Sequence, residues 1–309
     1  MDVGTPVEEE PEWMRRHPDF QAVLCHFCDR LVAPLRRQRV MIKLFGQRAP
    51  TEIAAQIIMM HTTARSPSER PTVTRIQDRL PGTRRTAAFI ALLRGFGIVQ
   101  AERDPGDARI RYLVPGPILV DGLRDWLALH LSCHCRLAGG EDAGERLRTD
   151  RGFYDRVVRE CASLLDPRNR PLLRHPDLAW LDEHDSGLYL ALTLVERSLA
   201  QAATAGAGDD GGGWVEASAA DLAALLGVSK SHIRNLINAM EARGLIRQDE
   251  HRHRLLPTDR FRQAVERWFC HQIDGIAQAA RRAGRGAEDA RPAAVLADQS
   301  SATFPVAMS

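Results

Sequence analysis

The stretch that most limits how this 309-residue chain folds is residues 218–247, SAADLAALLGVSKSHIRNLINAMEARGLIR. Ser218, followed three residues later by Asp221, is a helix-start signal of the capping-box kind. Leu222, Leu225 and Leu226 give that helix an apolar stripe at helical spacing. Gly227 supplies the turn, where positive φ is needed at low steric cost. Ser229 then caps a second helix. In it Ile233, Leu236, Ile237 and Met240 fall at i, i+3, i+4 and i+7, so one face is buried. The other face carries Lys230, Ser231, His232, Arg234, Asn235 and Asn238. Gly244 closes the helix as a left-handed C-cap does.

Two helices joined this tightly form a helix-turn-helix, and the polar, cationic face of the second suits a DNA major groove. A hairpin follows: Arg243 to Ile246 starts it, Arg252, His253 and Arg254 make a basic return, and Leu255 to Pro257 leads out. The motif and hairpin together resemble those of winged-helix bacterial regulators, most closely the MarR type. The resemblance implies a second helix that enters the major groove and a β-hairpin wing beside it.

Composition bounds the rest. With 42 Lys and Arg against 40 Asp and Glu, the net charge is only +2. Attraction to nucleic acid must therefore come from local patches. Residues 71–115 hold eight Arg and four acids, and residues 221–260 hold seven Lys and Arg, five acids and three His. No apolar run approaches the roughly 20 residues of a membrane span. The acidic start MDVGTPVEEEPEW lacks a signal-peptide core, so a cytoplasmic location is expected. The six cysteines do not make a disulfide scaffold.

Taken in order, residues 1–17 read as a loose segment rich in Pro and Glu. A helix with Phe20, Val23, Leu24, Phe27, Cys28 and Leu31 on one face follows, ended or kinked by Pro34. Residues 51–64 form another helix, with Thr51 as its cap and Ile53, Ile57, Ile58 and Met60 apolar. Residues 72–99 then repeat the design of 218–247. A short helix runs to Leu80, Pro81 and Gly82 turn, and a second helix carries Arg84, Arg85 and Thr86 outward. Phe89, Ile90 and Leu93 lie inward, and Gly97 ends it. A hairpin turning at 104–107 comes next, its return strand alternating Ile110, Tyr112 and Val114. Asp107-x-Arg109 is similar to the wing signature of MarR proteins, which implies an Asp bracing an Arg that reaches the minor groove. Arg111 is the second candidate on this wing. A helix centred on Trp126 follows.

The second half retraces the path. Phe20, Leu24, Cys28, Leu31 and Pro34 match Phe153, Val157, Cys161, Leu164 and Pro167 at a constant offset of 133 positions. Gly97 pairs with Gly244 and Trp126 with Trp268. A helix from Ser186 carries Leu188, Leu192, Val195 and Leu199. Residues 205–213 form a Gly-rich loop, and 214–217 a short strand before the motif. Repetition of ordered landmarks predicts two winged-helix repeats, 18–136 and 151–280, joined by a linker at 137–150 and followed by a disordered tail at 281–309.

The expected fold is therefore mainly α: two winged helix-turn-helix repeats forming an intramolecular pseudo-dimer, with a central helical core and two small β-wings. Helix-turn-helix dimers present reading helices about 34 Å apart, and a fused pair does so in one chain, as a monomer. Because the two readers differ, the site is an imperfect palindrome. Arg84 and Arg85 suit guanine or phosphate, and Asn235 suits adenine. The DNA-facing set is Arg84, Arg85, Thr86, Arg109, Arg111, Lys230, Ser231, His232, Arg234, Asn235, Arg252 and Arg254. The second wing lacks the Asp-x-Arg signature.

Cys25-x-x-Cys28 with Cys133-His134-Cys135 offers a metal-like donor set, but Cys28 and Cys161 occupy matching apolar helical positions, where a free Cys acts as a small hydrophobe. No metal and no cofactor is expected. No phosphate-binding Gly loop, HExxH or GxSxG is present, so no enzyme is expected. The reading is a DNA-binding transcriptional regulator, a repressor, with double-stranded DNA as partner and an unspecified small effector. The rivals are a plasmid-type replication initiator with tandem winged helices, and a winged-helix module that contacts protein or RNA.

Overall fold

Helical spacing of apolar residues runs through most of the chain, and the resulting structure is mainly helical with two small antiparallel sheets. The computed structural model describes residues 11–37, 44–80, 85–164, 171–204 and 213–288. In the first half the elements are α1 (Glu12–Arg15), α2 (Phe20–Arg37), α3 (Arg48–Thr63), α4 (Val73–Arg79), α5 (Thr86–Gly95), β1 (Val99–Arg103), β2 (Arg111–Pro115) and α6 (Pro117–Ala138). Next come α7 (Ala143–Thr149), α8 (Arg151–Glu160), α9 (Pro176–Asp182), α10 (Gly187–Thr204), β3 (Val215–Glu216), α11 (Ala219–Leu226), α12 (Lys230–Ala242), β4 (Ile246–Gln248), β5 (Arg254–Pro257) and α13 (Asp259–Glu288).

Local chemistry sets the helix ends. The Thr72 hydroxyl accepts from Arg75 N–H at the start of α4, and the Ser218 hydroxyl accepts from Asp221 N–H at the start of α11. Gly227 is left-handed at φ 67°, as the turn requires. Helices α5 and α12 end alike. Ile98 N–H reaches back to Leu93 O across Gly97, and Leu245 N–H to Met240 O across Gly244. Both glycines have positive φ, the geometry of a Schellman stop. Strands β1 and β2 form one hairpin, and β3, β5 and β4 form a three-stranded sheet in that order. In the first half the third strand is reduced to one bond, from Leu113 N–H to Pro71 O.

Among the described residues, three buried clusters hold the structure together. One gathers Leu44, Ile53, Ile57, Ile76, Ile90, Leu93 and Leu113 under the first motif. A second joins Phe20, Leu24, Phe27 and Cys28 of α2 to Leu190 and Leu194 of α10, Leu222 of α11, Ile233 and Leu236 of α12, and Phe261 and Phe269 of α13. The third joins Leu127 and Leu131 of α6 to Phe153 and Val157 of α8 and Ile276 and Ala280 of α13. Helix α2 thus packs on α10 and α11, while α8 packs on α3. The leading helix of each half lies partly against the other half, α2 on the second motif and α8 on α3 beside the first, so separating the halves would expose both. Ser186 N–H adds a bond across to Gly46 O at 2.9 Å.

Several boundaries differ from the sequence reading. Helix α1 lies within the stretch read as loose, because Met14 is fully buried. Helix α2 continues past Pro34 to Arg37. The presumed linker contains α7, capped by Asp142 and packed on α6 through buried Leu147. Helix α13 runs to Glu288, into the expected tail: Ala283 is buried, and Arg282 pairs with Glu160 at 2.9 Å. The Pro81–Gly82 turn, Pro167, most of the Gly-rich loop (205–212) and residues 289–309 lie outside the described residues. Among the described residues, no helix is long and apolar enough to cross a membrane.

Candidate nucleic-acid interface

Helix α12 is the most fully formed candidate surface. Ile233, Leu236, Ile237 and Met240 are all buried, which turns the opposite stripe outward. Lys230, Ser231, Arg234, Asn235 and Asn238 are exposed on it. Lys230, Arg234 and Asn235 make no side-chain hydrogen bond or ion pair among the described residues, so their donors are available. Asn238 Oδ1 accepts from Gln248 Nε2 at 3.1 Å, which in turn donates to Glu241. Ser231 shares a hydroxyl contact with the cap residue Ser229 at 3.1 Å.

His232 departs from the expected role. It is half-buried, and its Nε2 donates to Asp185 O at 2.9 Å. It pins the start of α12 to the turn before α10. The far end is held as well. The Arg243 guanidinium lies 4.1 Å over the Trp180 ring. Arg260 bonds Asp177 at 2.7 Å and Arg243 O at 3.3 Å. Helix α12 is therefore fixed at both ends by α9, α13 and the Asp185 turn.

Helix α5 occupies the matching place in the first half and offers a different face. Arg85 is exposed, and Arg84 lies outside the described residues. Thr86, expected to face DNA, is completely buried and offers a partner no surface. The Gly97–Gly244 offset of 147 positions explains this, since it sets Thr86 opposite the buried Ile233. Beyond Arg85 the exposed positions of α5 are Ala87, Ala88, Ala91, Leu92, Arg94 and Gly95.

The first wing is braced from its root. Tyr112 OH donates to Asp104 Oδ2 at 2.6 Å, and Asp104 Oδ1 accepts from Gly106 and Asp107 N–H. These bonds, the phenol's first, hold the Asp104 carboxyl below its ordinary range. Arg70 lies 4.2 Å over the Tyr112 ring and pairs with Glu102. Asp107 accepts from Arg109 N–H at 2.9 Å. The Asp-x-Arg pair therefore shapes the turn through the backbone, and the Arg109 side chain is left exposed. Arg111 is also exposed, and so is Arg103, its cross-strand partner on β1. Strand alternation from buried Val99 puts Arg103 on the inward side, so the sequence pattern does not report its exposure.

On the second wing Asp249 Oδ1 accepts from Arg254 and His253 N–H. Those backbone donors, Arg254's first, hold its carboxyl below the usual range. The Arg254 guanidinium is bound back to Asp249 at 3.4 Å and lies 5.6 Å from the Trp214 ring centre, so it is partly committed. Arg252 stands at the turn with φ 56° and an exposed side chain. Arg247 on β4 is exposed beside it; the sequence reading passed over it as the end of the motif.

The cysteines are free thiols. Burial pushes Cys133 and Cys161 up to about 12, and Cys25 donates weakly to Glu196 O. Among the described residues no group of three or more His, Cys, Asp or Glu is placed to hold a metal ion.

Residues 208–250 match the family model of the IclR helix-turn-helix domain. No curated protein and no solved structure matches the chain. The matched span covers β3, α11, α12 and β4, the elements whose polar face is described above. It is of the IclR type, where the sequence likened the motif to the MarR type, and it covers the second motif. The chain thus carries a helix-turn-helix similar to those of bacterial DNA-binding transcription regulators, which supports double-stranded DNA as its partner.

Proposed function

We propose that the chain is a sequence-specific DNA-binding repressor that works as a pseudo-dimer, with winged-helix repeats at 18–136 and 151–280 meeting around 137–150. The observation that carries the reading is α12: its apolar side is buried while Lys230, Arg234 and Asn235 stand outward without partners among the described residues. Apart from β3, the two halves repeat one element order, from α3 to β2 and from α10 to β5. The packing of α2 on α10 and α11, and of α8 on α3, supports treating the halves as one unit, since each leading helix bridges its own half and the other. Lys230, Arg85, Arg109, Arg111 and Arg252 neutralise phosphates and set register, while Arg234 and Asn235 meet base edges. Occupancy of a promoter then blocks transcription.

The test is enrichment of random duplexes by the purified full chain, followed by mapping of the recovered site onto promoters. A defined, salt-sensitive site with two unequal halves is the expected result. Recovery of origin-type repeats would replace repression with a role in replication. No enrichment over random duplex would remove the DNA reading.

A further inference from the structure

The offset of 147 positions aligns α5 with α12 residue by residue. Phe89, Ile90, Leu93 and Ile98 fall on Leu236, Ile237, Met240 and Leu245, core on core. The outward positions diverge. Arg234, Asn235 and Asn238 of α12 become Ala87, Ala88 and Ala91 in α5, and all six are exposed. The first helix keeps the fold of a reader and has no side-chain donor or acceptor at its three central outward positions.

We propose that the two helices read DNA by different chemistry: α12 by hydrogen bonds to base edges, α5 by apolar contact with thymine methyl groups. This rests on the DNA-binding reading above. Alanine is among the side chains that match the C5-methyl of thymine in the major groove. It leaves a guanine N7 and O6 desolvated and unpaired, which costs free energy. The alanine stripe therefore favours thymine and rejects guanine beneath it, and Arg85 at the head of α5 supplies a phosphate anchor. The site has one half rich in hydrogen-bonded information and one half defined by a few thymines.

The experiment is duplex selection with the full chain and with Arg234→Ala, then binding to the selected site with deoxyuridine replacing thymine in one half at a time. Arg234→Ala identifies the α12 half, since only that half loses information. In the other half, each contacted methyl removed is expected to weaken binding about fourfold, the value of one buried methyl-sized group. The double variant Ala87→Arg with Ala88→Asn is expected to move that half's preference toward the α12 sequence. Guanine selected beneath α5, or indifference to deoxyuridine there, would overturn the proposal and leave DNA binding standing. Failure to retain any duplex would overturn both.

Discussion

Arg103 and Arg111 are direct cross-strand partners at the last register step of the β1–β2 hairpin. Such partners project from the same face, and like charges placed so destabilise the ladder, by roughly 0.2–1 kcal/mol. Both are exposed, and neither has an ion pair among the described residues. A bound phosphate would relieve the repulsion. Arg111→Ala is therefore expected to reduce the salt slope of DNA binding by about one unit while leaving the melting temperature unchanged or slightly raised. An unchanged slope would remove this wing from the interface.

Arg234→Ala and Asn235→Ala address base reading. Each is expected to reduce discrimination between the selected site and a mismatched one by about 1–3 kcal/mol. Both side chains are exposed and without partners among the described residues, so stability should change by no more than about 0.5 kcal/mol. Competition binding paired with urea denaturation separates the two effects. A large stability loss would mean that these residues serve the fold.

Thr86 and Ala88 lie two positions apart on α5 with opposite fates, one buried and one exposed. Thr86→Lys forces an ammonium into the core at a cost of several kcal/mol. Ala88→Lys adds a cation to an exposed face and should leave the urea midpoint nearly unchanged. Equal midpoints for the two variants would contradict the burial of Thr86.

Stability should also depend on pH. His130 is fully buried beside Trp126 and Phe27, and burial lowers its pKa from 6.5 to about 4. His175, which meets His271 at 3.0 Å, is lowered to about 4 by burial first and then by its charged neighbours. A histidine lowered on folding binds fewer protons when native, so stability is full above about pH 6.5 and declines as pH falls toward 4. For His130 the loss is at most on the order of 3 kcal/mol. Melting curves from pH 7 to 5 should show the decline, and His130→Phe should flatten part of it. A stability that rises on acidification would refute this assignment.

Much of the second motif was legible because its signals are local. Ser218, Gly227, Ser229 and Gly244 each do what their side chain or its absence dictates, and Ile233 to Met240 keep the helical period. Thr86 was misplaced because a hydroxyl was read as polar surface, although the offset already set it opposite Ile233. His232 reads as a surface residue because its partner, Asp185 O, is 47 residues away, and no periodicity reports such a contact. Helix α7 reads as a linker because its Gly and charges mask one buried apolar side chain, Leu147. The bridging of the two halves by α2 and α8 is likewise non-local: their apolar faces are plain in the sequence, and what those faces meet depends on the whole topology.

The most direct test is the stoichiometry and footprint of the complex on the selected site. Sedimentation of the purified chain with labelled duplex gives the number of chains bound, and hydroxyl-radical protection gives the grooves covered. The account predicts one chain per duplex, with two protected regions about one helical turn apart, roughly 34 Å. Two chains per duplex, or protection of a single half-site by one chain, would contradict it.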